Sequence, residues 1–111
     1  MEIDINKLIE DTLSTINIPC KHQRYTGKES TYVTYFVVNK ENSDYSDDKE
    51  EMNSYLLQID FWSKEELGIL INKAERLLKK SFEDVKYRDL YEDDTKKFHI
   101  AFSCYFYEEK E

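Results

Sequence analysis

Residues 96–107, KKFHIAFSCYFY, alternate in character. Phe98, Ile100, Phe102, Cys104 and Phe106 fall on one side of an extended chain, and His99, Ala101, Ser103, Tyr105 and Tyr107 on the other. A period of two belongs to a strand with two unlike faces. The pattern recurs at 53–62, NSYLLQIDFW, where Tyr55, Leu57, Ile59 and Phe61 oppose Leu56, Gln58, Asp60 and Trp62. TYVTYFVV at 31–38 is dense in β-branched and aromatic residues and reads as a strand covered on both faces. DVKYRDLY at 84–91 is a weaker strand.

Two stretches repeat at helical spacing instead. Ile5, Leu8, Ile9, Thr12, Leu13 and Ile16 predict an amphipathic helix over 4–16, with Asp4 as N-cap and Pro19 blocking its continuation. Leu67, Leu70, Ile71, Ala74, Leu77 and Leu78 predict a second helix to about residue 80. Ser63 opens it as a capping box with Glu66, and Gly68 lies inside it. Residues 20–30 are polar, contain Gly27, and read as a loop; 40–52 read as a long acidic loop. The order α-β-β-α-β-β predicts one α+β domain over 1–111. Its four-stranded antiparallel sheet carries two helices on one face.

Charge and composition exclude several functions. A net charge of −8 disfavours specific nucleic-acid binding. Aromatics at 14% argue against disorder, although 36% of residues are charged. MEIDINKLIEDTL lacks the basic and apolar regions of a signal peptide, and no apolar run reaches membrane-span length. Two isolated cysteines, Cys20 and Cys104, suit a reducing cytoplasm.

No motif assembles a reaction centre. YEDDTKKFHI at 91–100 gathers charges, but Glu92–Thr95 sits between two strand patterns and reads as a solvated hairpin turn. His99 and Cys104 are five apart in a strand, so they face opposite ways and do not share zinc. The acidic loop counted from Asp44 lacks the glycine and final glutamate of a calcium-binding loop. Two isolated glycines make no phosphate cradle, and no nucleophile-elbow motif is present. No cofactor is expected.

What remains is aromatic. Trp62, Tyr105 and Tyr107 stand on the face away from the helices, with Tyr32, Tyr35 and Tyr91 as candidates to join them. His99 is expected at the surface or an interface. These residues form either a contact surface, or scattered surface tyrosines, or a patch covered by the N-terminal loop.

The segments IPCKHQRYTGKESTYVTYF, YLLQIDFWSKEE and DLYEDDTKKFHIAFSCYF, taken in order, resemble the tail-completion proteins of long-tailed phages and prophages. These are the tail-terminator and head-to-tail joining proteins. The resemblance runs from about Ile18 to Tyr107. It rests on Y-x-G before a T-Y-V strand, an acidic loop, Q-I-D-F-W-S running into a helix, and D-L-Y-E-x-D-T before an aromatic last strand. It implies an α+β fold, no enzymatic activity, and a ring, often of six subunits, at the end of the tail tube. Its partners are further copies of itself, the tail-tube protein and head–tail connector proteins. Its place is the bacterial host cytoplasm during assembly, then the virion tail or neck. It further implies that Asp44, Asp47, Asp48, Glu50 and Glu51 reach the ring lumen or a neighbour. An acidic lumen would let DNA slide without sticking. The other expectation is a small non-enzymatic binding or regulatory module working through the open aromatic sheet face.

Overall fold

The structure, a computed structural model, describes residues 3–45 and 50–110. Helix α1 (Ile5–Thr12) begins as expected: the Asp4 carboxylate accepts the Lys7 amide at 3.1 Å. It is shorter than its apolar stripe. A 3-10 turn at Ser14–Ile16 follows, and Asn17 enters the left-handed region at φ 63°, which ends the helix before Pro19 does.

The sheet has five strands and is mixed, which corrects the four-stranded antiparallel expectation. Strand β1 (Cys20–His22), within the expected loop, pairs parallel with β2 (Tyr32–Tyr45). Its pairing is prepared by Pro19, whose carbonyl accepts the Val33 amide at 2.8 Å. Next come β3 (Glu50–Ser63), β5 (Lys97–Lys110) and, at the far edge, β4 (Glu83–Glu92), each antiparallel to its neighbour.

The expected acidic loop 40–52 is largely strand. β2 and β3 pair on to Ser43–Met52, Asp44–Glu51 and Tyr45–Glu50. Backbone hydrogen bonds hold extended chain there despite unfavourable composition. Asp44, Glu50 and Glu51 therefore belong to strand backbone, while Asp47 and Asp48 lie outside the described residues.

Helix α2 (Gly68–Ser81) starts later than the capping box predicts. Ser63 is still paired with Phe98, and its hydroxyl accepts the Glu65 amide at 3.0 Å, turning the chain out of the strand. Gly68 is thus the first helical residue, not an interior one.

Both helices share one core with one sheet face. Ile9, Leu13 and Ile16 from the first helical segment and Ile71, Ala74 and Leu78 from α2 pack over Val33, Leu57, Ile59, Phe61, Ile100, Phe102 and Cys104. Each fully buried aliphatic or aromatic side chain contributes about 1.5–3 kcal/mol. Burial pushes the Cys104 thiol up to about 12. The molecule measures 52 × 24 × 23 Å, because the long strands run on beyond the helices. No helix among the described residues is long and apolar enough to cross a membrane.

Candidate functional site: the open sheet face

Register places Tyr32, Trp62, His99 and Leu90 in one row across four strands, on the face away from the helices. Beside that row lie Thr34, Asp60 and Ala101. Directly paired residues share a face, so the row follows from strand pairing alone.

The side chains interlock. Tyr25 stacks on Tyr32 at 4.8 Å between ring centroids, Tyr32 on Trp62 at 6.4 Å, and Trp62 on His99 at 3.8 Å and 11°. Lys97 donates to the Tyr32 hydroxyl at 3.0 Å and sits 5.2 Å from its ring centre. The Trp62 indole N–H donates to Thr34 Oγ1 at 3.1 Å.

His99 is buried, not superficial, with 9% exposure. Its Nε2 lies 2.8 Å from Asp60 Oδ1, and its Nδ1 lies 3.6 Å from Glu92 Oε2. Asp60 also accepts the Gln58 amide at 3.0 and 3.1 Å. Glu92, expected to be a solvated turn residue, ends β4; the turn itself spans Asp93–Lys96.

This arrangement fixes the orientation of the imidazole ring beneath Trp62. Both imidazole nitrogens face carboxylates, and none of the hydrogen bonds around His99 reaches a hydroxyl or thiol that could act as nucleophile. The two carboxylates address opposite ring nitrogens, so they do not converge on one point. Among the described residues, no three His, Cys, Asp or Glu side chains could hold a metal ion. The face offers flat rings on a buried polar support.

The expected aromatic residues separate. Tyr32, Trp62 and His99 come together. Tyr105 and Tyr107 stack on each other at 5.9 Å further along the same face. Tyr35 does not belong there: it is 1% exposed on the helix side, and its hydroxyl donates to Glu10. Burial first, and Glu10 second, raise its pKa above the ordinary tyrosine value. Tyr91 is exposed but also faces the helix side, against Phe98 at 5.2 Å. Gln58, Asp60, Thr34 and Tyr25 were missed. The available signal was the pair of polar residues, Gln58 and Asp60, alternating into an apolar strand on the Trp62 side.

Two other features flank this face. A cleft of about 460 Å³ opens on the helix side between the start of α2 and β4, bordered by Ile69, Tyr87 and Phe98. Where the sheet outruns the helices, buried Asn53 donates to Glu108 at 2.9 Å, and the Ile3 amide reaches the same carboxylate at 3.2 Å.

No family model matches the chain, and no curated protein matches it.

Proposed function

We propose that this chain is a structural, non-enzymatic protein that forms a ring with copies of itself, completes a phage tail tube and joins it to the head connector. The observation that carries this reading is that four of the seven exposed large apolar side chains among the described residues lie on β2 and β4. Val38 lies on β2, and Tyr87, Leu90 and Tyr91 lie on β4, each 37–51% exposed. These two strands border the sheet, apart from the three residues of β1. Apolar side chains gathered along open sheet edges favour association. The resemblance of the segments between Ile18 and Tyr107 to tail-completion proteins supplies the biological setting.

Light scattering behind a sizing column, with and without purified tail tubes, tests the reading. The expected result is a ring alone, or co-elution with tubes and shorter tails when the protein is present during tube growth. A monomer that leaves tube length unchanged would overturn it.

A second reading has its own observation. The Tyr25–Tyr32–Trp62 stack offers a preformed aromatic surface, and this favours a binding module that uses the open face. It predicts that Trp62→Ala abolishes partner capture while Arg88→Glu on β4 does not.

A further inference from the structure

The sheet ends in two unlike borders. Along β4 no strand lies outside Glu83–Glu92 among the described residues. Along β2 the neighbour β1 covers only Val33–Tyr35, so the outer border is open beyond that point. Each border carries a row of peptide groups able to accept another strand.

The two borders are complementary in charge on both faces. On the open face, Glu41 of β2 shares its side with Leu56-facing Asn39, and Arg88 of β4 pairs with Ala101. On the helix side, Lys40 pairs with Tyr55, and Asp89 pairs with Ile100. All four side chains are exposed, and none forms a salt bridge among the described residues.

We infer that neighbouring copies join edge to edge, with β2 of one lying antiparallel along β4 of the next, Glu41 opposite Arg88 and Lys40 opposite Asp89. The register is over-determined. Successive strands reverse across β2, β3, β5 and β4, so β4 runs opposite to β2, and a sheet continued into the next copy is antiparallel at the junction. Facing residues must share a side, which allows only every second register. The register that sets Glu41 against Arg88 also sets Lys40 against Asp89 and brings Val38 to Tyr91. Opposite charges placed directly across strands stabilise the pairing. Self-pairing of β4 about Arg88 or about Asp89 would instead set like charges together. The bulge between Val37 and Asn39, with Lys40 beside it, guards the β2 border against unregistered partners. Because the two borders differ, each copy uses both, and the contact propagates head to tail until it closes.

The inference rests on the self-assembly reading above, and its test separates the two. Glu41→Cys with Arg88→Cys in one chain should give intermolecular disulfide ladders under mild oxidation, since directly opposed strand positions suit a disulfide. Native Cys104 is buried, and the half-buried Cys20 is replaced by serine in the background used for the ladder. Arg88→Glu alone should raise the concentration for half-assembly by on the order of tenfold. Adding Glu41→Arg should restore it. Both positions are exposed, and circular dichroism checks that each variant folds. Assembly on tubes with no ladder and no effect of charge reversal overturns the edge pairing and leaves the ring. Ladders and charge rescue in a protein that ignores tubes support the edge pairing and overturn the tail reading. A chain that stays monomeric with and without tubes overturns both.

Discussion

At the scale of single residues, the decisive pair is Asp60 and His99. A buried carboxylate is costly unless hydrogen-bonded, and here the imidazole and the Gln58 amide meet that need. His99→Ala removes one partner and the plate beneath Trp62. Stability should fall by about 2–3 kcal/mol in urea unfolding. Trp62 is the only tryptophan, so its emission should change in the folded variant and report the lost stack directly. Cys104 gives a second prediction, in alkali. Its folded pKa of about 12 exceeds the ordinary 9.0, so the folded thiol stays protonated where the unfolded one ionises. Its contribution is fully present below pH 9 and is lost as pH rises toward 12, by about 1.4 kcal/mol per pH unit. Tyr35 shifts in the same direction and steepens the fall at higher pH. Denaturation midpoints measured from pH 8 upward should show the decline, and Cys104→Ala should make it shallower.

At the scale of elements, the two glycines make opposite predictions. A Cβ on Gly27 would stand 2.1 Å from the Tyr25 hydroxyl oxygen, with that ring folded back over the turn. The same hydroxyl accepts the Glu29 amide, and the ring stacks on Tyr32. The Y-x-G spacing is therefore a packing requirement. Gly27→Ala should displace Tyr25, cost on the order of 1 kcal/mol, and weaken the near-ultraviolet dichroism of the aromatic row. Gly68 meets nothing within 4 Å, but it opens α2 rather than lying inside it, so Gly68→Ala should raise the melting temperature only slightly, through a gain well below the ~1 kcal/mol of a helix interior. The strands at 53–62 and 96–107 were legible because buried apolar residues alternate there. The arm of β2 and β3 was not, because its extended chain is held by cross-strand hydrogen bonds rather than by an apolar face of its own. Strand β1 was hidden for a related reason: three residues carry no period, and only the neighbouring strand makes them one.

At the scale of the whole molecule, shape is the readable property. The radius of gyration is 15.5 Å, against about 13 Å for a compact chain of this length. Small-angle scattering from the monomer should return the larger value; a value near 13 Å would mean the arm folds back on the body. The excess comes from the three strands that run past the helix layer, and those strands supply one of the two borders proposed to join copies. The open aromatic row and the two borders are separable surfaces. Trp62→Ala should therefore leave self-association unchanged while Arg88→Glu impairs it.

Periodicity alone was enough for two helical stripes, four of the five strands, and the grouping of Tyr55, Leu57, Ile59 and Phe61, and of Phe98, Ile100, Phe102, Cys104 and Phe106, each on one strand face. Period is carried by neighbouring residues, so it survives without knowledge of the fold. Strand pairing and packing settled which side Tyr35 and Tyr91 take, that His99 is buried on Asp60, and that β1 joins the sheet in parallel. Those outcomes depend on register between separate segments, as between Asp60 and His99, which lie 39 residues apart. A single strand's alternation says which residues lie together, but only its neighbours say which side meets the helices.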